Sequence, residues 1–480
     1  MKRIELIPSE SKGKINRNIY GHFSEHIGGV FYDGLWVGED SEIPNYGGFR
    51  KSIVDAMREI KPPVLRWPGG CFAETYDWRD GIGPRDKRPV TLNWWYNNDK
   101  RTESNQVGTH EFVRLCRLIG AEPYFAANIT STTPIEIRNW MEYCNAPEKL
   151  TSLAAARGDN GDAQPFAVKY WGIGNENWGG GGNMTPEMYA RRYIQYATVC
   201  NIRFNDEKYI ACGANAGDVA WTNRFMAEFR NAAPLYALAF HYYCGSAGDP
   251  LKFTEAEWYQ MLDKAAVMDS LIKRHRSAMR TYDPDGRIKI IVDEWGCWHP
   301  GGSGPSKGYN LFEQQSTVRD AMVTALTLNI FNDHCDIVDM ANVAQLCNNL
   351  HCLFLAGGDK MTVTPTYHVF KMFKGHQDAR HIFCAGEKDG LTISASEKDG
   401  KYTITAGNLS YNKTEELKIS LFGGKLNGKA NVTVLTHEDP HAHNTFDEPD
   451  KVHPVTSVID IGDDTVYTLP PASITLIEIA

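Results

Sequence analysis

The sequence predicts an α/β chain, a (β/α)₈ TIM barrel followed by an antiparallel β-sandwich. Three observations carry this. The first ~375 residues alternate short apolar runs with helical patterns, the signature of a parallel sheet covered by helices. Beyond Phe373 the pattern becomes strict two-residue alternation. The length, 480 residues, exceeds one ordinary domain but suits one large barrel with a smaller partner. The barrel is assigned to residues 16–375 and the sandwich to residues 376–480, with residues 1–15 supplying the sandwich with an extra strand.

Eight apolar runs fit barrel strands: Ile19–Glu25, Val64–Trp67, Pro123–Asn128, Val168–Gly174, Ile210–Ala214, Tyr236–His241, Ile288–Asp293 and Ile337–Ala341. Helix starts lie between them. Thr133-Pro134-Ile135-Glu136 reads as a capping box with proline at the first helical position. Thr185-Pro186-Glu187 repeats the pattern, with an acid placed to meet the helix dipole. Glu313–Phe331 carries Val318, Met322 and Ala325 at helical spacing. In the C-terminal region, runs beginning at Leu391, Tyr402, Leu417 and Val432 alternate with period two, separated by turns such as Lys398-Asp399-Gly400 and Asn427-Gly428.

Hydrophobic residues make up 42% and charged residues 23%, enough apolar material for a large core. The net charge of −9 repels phosphate backbones and argues against a nucleic-acid partner. The N-terminal apolar run is broken by Glu5, so it does not read as a secretory signal, and no window reads as a membrane span. The eleven cysteines are scattered without a C-x-x-C pair and read as buried free thiols of a reducing compartment. A cytoplasmic location follows as the expectation.

In a parallel barrel, chemistry gathers at the C-terminal ends of the strands. The fourth strand ends in Trp171-Gly-Ile-Gly-Asn-Glu-Asn177 and the seventh in Ile290-Ile-Val-Asp-Glu-Trp-Gly296. Each puts a glutamate, Glu176 and Glu294, at a mouth rich in Trp, Tyr and Asn. Glycoside hydrolysis needs such a pair: one carboxyl protonates the leaving oxygen, the other attacks the anomeric carbon or activates water. A lone strand-end glutamate is usually a solvated charge. Two at facing positions beside aromatics make that reading much weaker. Arg66, at the end of the second strand, is placed to hold a carboxylate ionised, with an ion pair of purely structural value as the alternative. The Pro68-Gly69-Gly70 turn after it suits close backbone approach. Glu25, His241-Tyr242-Tyr243 and Asn342-Val-Ala-Gln345 end three further strands with groups suited to sugar hydroxyls. His437, His441 and His443 near Asp439 sit in a polar loop, and Cys347, His351 and Cys352 lack paired zinc spacing, so no metal site is expected at either. The Gly179–Gly182 run lacks the Lys-Ser/Thr of a phosphate loop and reads as a flexible bend beside Glu176.

Taken together, Gly21-His-Phe-Ser-Glu-His26, Leu65-Arg-Trp-Pro-Gly-Gly-Cys-Phe72, Tyr76-Asp-Trp-Arg-Asp-Gly-Ile-Gly-Pro84, Trp171-Gly-Ile-Gly-Asn-Glu-Asn-Trp178, Val292-Asp-Glu-Trp-Gly296, Ala341-Asn-Val-Ala-Gln-Leu346 and His443-Asn-Thr-Phe446 resemble the α-L-arabinofuranosidases of glycoside hydrolase family 51, over nearly the whole chain. The resemblance implies a retaining, exo-acting enzyme that removes terminal arabinofuranose from arabinoxylan- or arabinan-derived oligosaccharides. Glu294 would be the nucleophile and Glu176 the acid/base. Glu25, Arg66, Asn175, Tyr243, Trp298 and Gln345 would bind the sugar. It also implies that no metal or cofactor is needed and that the chain forms a homo-oligomer, often a hexamer in the family. Many members have asparagine where this chain has Cys71; a branch of the family has cysteine, and the resemblance counts Cys71 among the substrate-binding residues. Of Trp94, Trp95 and Tyr96, Trp95 is the choice for the pocket tryptophan. Two alternatives stand beside this reading: another retaining glycosidase on the same scaffold, a β-xylosidase or endoglucanase, and a non-catalytic sugar-binding protein.

Overall fold

The computed structural model describes residues 1–96, 100–462 and 464–479. Eight parallel strands close into a barrel. In chain order they are Gly21–Phe23, Val64–Trp67, Glu122–Ala127, Tyr170–Ile173, Lys208–Ala211, Ala237–Gly245, Lys289–Trp298 and Val338–Val343. Every expected strand is present. The first is shorter than its apolar run because Arg17–Tyr20 form a 3₁₀ turn, with the Asn18 amide donating to the Asn16 side chain. The seventh is longer: an unbroken buried run continues past Glu294 through Trp295 and Cys297, so Glu294 lies within the strand and not beyond it.

The helices start where their caps dictate. Thr185 accepts from the Met188 amide at 3.3 Å and opens the helix Pro186–Val199. The helix Pro134–Asn145 starts at Pro134 as expected, but Thr133 makes no side-chain cap bond, and Glu136 pairs with Arg79 instead of closing a capping box. The helix expected from Glu313 begins at Val318, because Thr317 and Asp320 form a reciprocal capping box that fixes the start. Residues Glu313–Ser316 are left in the preceding loop.

Two compact units can be distinguished. One comprises Gly21–Tyr242 and Lys273–Glu294; the other comprises Met1–Tyr20, Tyr243–Ile272 and Trp295–Ala480. The second contains a nine-stranded, largely antiparallel sheet. Lys2–Ile7 lies between Arg380–Gly386, to which it is antiparallel, and Glu415–Leu421, to which it is parallel. The hairpin joining Leu391–Lys398 to Lys401–Asn408 turns through Asp399 and Gly400, with φ of 53° and 80°, the pair of left-handed residues that a two-residue hairpin demands. The sheet curls around one apolar core, in which Ile4, Leu6, Ile393, Ile404, Leu417 and Ile477 meet. All eleven cysteines are free and buried. No helix among the described residues is long and apolar enough to cross a membrane.

Candidate active site

The first unit brings seven of the residues singled out from sequence into one buried cluster. Arg66, 1% exposed on the second strand, anchors it. Its Nη1 donates to Glu294 Oε1 at 2.8 Å and its Nη2 to Asn175 Oδ1 at 2.6 Å, so one planar guanidinium links the fourth and seventh strands. Asp293 stands 3.9 Å from Arg66 Nε and accepts from the Tyr124 hydroxyl at 2.9 Å. Burial works against the Arg66 charge, but the facing carboxylates of Asp293 and Glu294 outweigh it and hold the guanidinium protonated.

The Pro-Gly-Gly turn has the close approach expected of it: a Cβ at Gly70 would lie 2.9 Å from Glu294 Oε1. The turn delivers Cys71, whose thiol donates to Glu176 Oε2 at 3.6 Å. Glu25 accepts from the Phe72 amide at 3.0 Å and from the Trp95 indole at 2.8 Å, which places Trp95 in the cluster. Burial, reinforced by the charge of Glu294, pushes the Glu25 carboxyl up to about 7.

Two groups complete the site in roles that the sequence did not reveal: His241, read there only as part of a polar strand end, and Glu74, not singled out at all. His241 Nδ1 lies 2.9 Å from Glu176 Oε1 and 3.6 Å from Glu294 Oε2. Burial raises the Glu176 carboxyl, but the His241 hydrogen bond and charge prevail and leave it below the ordinary range. Burial correspondingly lowers His241, and the charges of Glu294 and Glu176 more than reverse that. The result is a carboxyl and an imidazole sharing one proton. One ligand atom from each of Glu176, His241 and Glu294 falls within 4.8 Å of the others.

The second of these groups is Glu74, in the 3₁₀ turn Cys71–Thr75 and 1% exposed. Glu176 sits in a left-handed backbone conformation, φ 45°, which for a non-glycine residue costs about 1–2 kcal/mol. Glu74 braces the loop that carries it. One carboxylate oxygen accepts from the Asn175 amide at 2.7 Å and the Asn177 side chain at 2.8 Å; the other accepts from the Ile129 and Thr130 amides at 2.8 and 2.9 Å. Burial raises the Glu74 carboxyl against the pull of these donors. The glycine run folds back on the same loop, with the Gly179 and Gly181 amides both donating to the Glu176 carbonyl at 2.7 and 3.0 Å. A Cβ at Gly181 would stand 1.9 Å from the Asn175 carbonyl, so this residue is a close-packing glycine, a tighter role than a flexible bend. Glu74→Gln turns an NH₂ toward two of the four donors. At about 1–3 kcal/mol for each buried donor left unpaired, a loss of a few kcal/mol is expected in a urea melt, together with slower hydrolysis. A melt unchanged to within experimental scatter would remove Glu74 from this role.

The other three residues singled out, Tyr243, Trp298 and Gln345, belong to the second unit. There Tyr243 and Trp298 meet edge to face at 5.0 Å, and Trp298 meets Phe312 at 4.9 Å. The Gln345 amide donates to the Asn349 carbonyl at 3.2 Å. The histidine-rich loop is knit by its own turns: His441 Nδ1 contacts Asp439 at 2.7 Å and its Nε2 contacts the Phe253 carbonyl at 2.7 Å. A separate polar cleft of about 640 Å³ in the first unit contains Arg85, Arg88, Arg114 and Arg117, each matched by a carboxylate of Glu39, Glu111 or Asp162.

Comparison with known proteins shows the family. Residues 56–248 match the family model of the α-L-arabinofuranosidase 1 domain, and residues 293–473 that of the α-L-arabinofuranosidase C-terminal domain. An intracellular exo-α-L-arabinofuranosidase of Bacteroides ovatus is 38% identical, over 99% of this chain and 95% of its own. The crystal structure of a family 51 arabinofuranosidase from Xanthomonas axonopodis pv. citri is 36% identical and superimposes with a TM-score of 0.93, covering 100% of this chain and 99% of that one. An α-L-arabinofuranosidase from Thermotoga maritima, solved as an arabinose complex, is 31% identical with a TM-score of 0.86 and full coverage of both chains, 100% each. The chain belongs to the α-L-arabinofuranosidases of glycoside hydrolase family 51, a family of retaining enzymes.

Proposed function

We propose that the chain removes terminal arabinofuranosyl residues from arabinoxylan- or arabinan-derived oligosaccharides by double displacement, with Glu294 as nucleophile and Glu176 as acid/base. The observation that carries this is the closeness of the two carboxylates, whose nearest ligand atoms lie within 4.8 Å. Retaining pairs stand about 5–5.5 Å apart, whereas inverting pairs leave about 6.5–9.5 Å for a water. Glu294, its Oε1 engaged by Arg66, attacks the anomeric carbon through Oε2. The bond to the leaving oxygen breaks, and that oxygen takes the proton which Glu176 shares with His241. The product is an arabinosyl ester of Glu294. Glu176 then removes a proton from an incoming water, the water oxygen bonds to the anomeric carbon, and Glu294 departs as carboxylate.

Glu25, Arg66, Cys71, Trp95 and Asn175 are assigned to holding the sugar, and the family resemblance assigns Tyr243, Trp298 and Gln345 to the same task. A cytoplasmic, homo-oligomeric enzyme acting on short imported oligosaccharides fits the residue composition and the family. The Bacteroides ovatus relative named as intracellular supports the location. Hydrolysis of p-nitrophenyl α-L-arabinofuranoside measured beside the β-D-xyloside tests the assignment. A kcat/KM at least tenfold higher on the arabinofuranoside is expected. Preference for the xyloside, or release of internal fragments from arabinan in place of free arabinose, would contradict it.

A further inference from the structure

We propose that Trp94 is the platform on which the sugar ring of the leaving group rests, and that it thereby determines which arabinosides the enzyme prefers. The inference rests on the assignment of Glu176 as acid/base, because the departing oxygen must lie against the carboxyl that protonates it.

Trp94 and Trp95 are consecutive but serve different places. Asn93, 5% exposed, pins the entry to the 3₁₀ turn Trp94–Tyr96. Its side chain donates to the His26 carbonyl at 2.9 Å and accepts from the Trp95 amide at 3.0 Å. The Trp95 indole donates to Glu25. Trp94 meets Trp95 edge to face at 4.8 Å and extends to the glycine run that follows Glu176. A Cβ at Gly180 would lie 3.4 Å from Trp94 Cη2 and 2.8 Å from Cys71 Sγ. That thiol is the one that donates to Glu176 Oε2 at 3.6 Å. Trp94 and Gly180 therefore stand beside the acid/base.

This surface is accessible. Gly180 is exposed and Trp94 is half-buried. A side chain at position 180 would collide with Cys71 and crowd the indole, so glycine keeps the space between them clear. A leaving group held by its oxygen at Glu176 has this surface next to it. Sugar rings carry C–H groups between their hydroxyls, and an indole offers them a large, rigid, apolar contact at low entropic cost. Asn93 holds that contact in place before substrate arrives.

The leaving ring takes no part in bond making or breaking. Its contact with Trp94 exists while the glycosidic bond is intact, so the binding it supplies lowers the barrier to the first displacement and appears in kcat/KM. A substrate without such a ring lacks that contribution.

Trp94→Leu removes the aromatic face and keeps apolar bulk. The test is kcat/KM on methyl α-L-arabinofuranoside, on arabinofuranosyl-xylobiose and on arabinobiose. All three leave as alcohols that need the Glu176 proton, so a fault in the acid lowers them alike; only the oligosaccharides carry a leaving ring. The ratio of oligosaccharide to methyl glycoside is expected to fall about tenfold, and Trp94→Phe should restore most of it. The oligosaccharide on which the ratio falls identifies the leaving sugar as xylopyranose or arabinofuranose. Equal loss on all three substrates, or no loss on any, overturns the platform, and equal loss would make Trp94 a support for Trp95. Azide rescue of Glu176→Ala tests the acid/base assignment separately. Should the variants fail to fold, the natural enzyme decides. Its arabinosyl-enzyme should pass the sugar to xylobiose or arabinobiose at concentrations about tenfold below those needed with glycerol, since an acceptor binds where the leaving group lay. Equal demand for all three acceptors overturns the proposal.

Discussion

Glu294→Ala is expected to abolish turnover, with kcat on aryl arabinofuranosides falling on the order of 10⁴-fold or more, the scale on which loss of an enzymatic nucleophile falls. The size follows from the geometry. Among the described residues the neighbouring carboxylates are otherwise engaged: Asp293 accepts from Tyr124, and Glu25 is engaged by the Phe72 amide and the Trp95 indole. Arg66 holds Glu294 Oε1 at 2.8 Å, which fixes the orientation of the carboxylate. Alanine also leaves a buried guanidinium short of one partner, so Glu294→Gln, which keeps the size, separates loss of chemistry from loss of packing. Both variants should lack the arabinosyl adduct that intact-mass spectrometry of acid-quenched natural enzyme would register on Glu294. Activity of either within tenfold of the natural protein would remove Glu294 from the nucleophile's role.

The barrel was legible in the sequence because its strands are buried and apolar, and the alternation of strand and helix leaves few competing arrangements. What periodicity could not locate were ends set by single side chains. The Asn16 side chain holds the turn before the first strand, and the capping box at Thr317 and Asp320 moves a helix start from Glu313 to Val318. An apolar run records what is buried; a cap is one hydrogen bond, invisible to any average over residues.

The two glutamates were legible for a similar reason: barrel chemistry collects at strand ends, and few charged residues stand there. Glu74 was not, although its carboxylate accepts from four donors. It lies in a short turn after Pro-Gly-Gly, and its partners Asn175 and Asn177 are 101 and 103 residues away. His241 was visible only as one of three polar residues ending the sixth strand, and its relation to Glu176 spans 65 residues. Both act through partners that only barrel closure brings near. Cys71 is intermediate: the resemblance placed it in the sugar pocket, and the structure adds that its thiol donates to Glu176. A residue's chemistry can be read in the chain, but what that chemistry acts on is decided by closure.

Glu176→Ala should divide substrates by their leaving groups. A departing oxygen of low basicity leaves without a proton, whereas a sugar hydroxyl does not. Turnover of arabino-oligosaccharides is therefore expected to fall by about 10²–10⁴-fold, the contribution of a positioned general acid, while arabinosyl-enzyme formation from a dinitrophenyl arabinofuranoside falls far less. The second step also loses its base, so with the activated substrate the arabinosyl ester of Glu294 should accumulate. Azide needs no deprotonation and fits the space vacated by the side chain. It should restore turnover and give an arabinofuranosyl azide with the anomeric configuration of the substrate. His241 cannot substitute, since it contacts Glu176 and Glu294 on the same nitrogen, Nδ1, and stands behind the proton that Glu176 delivers. Equal losses on activated and unactivated substrates, without rescue by azide, would mean that the Glu176 carboxyl supports the site without passing a proton.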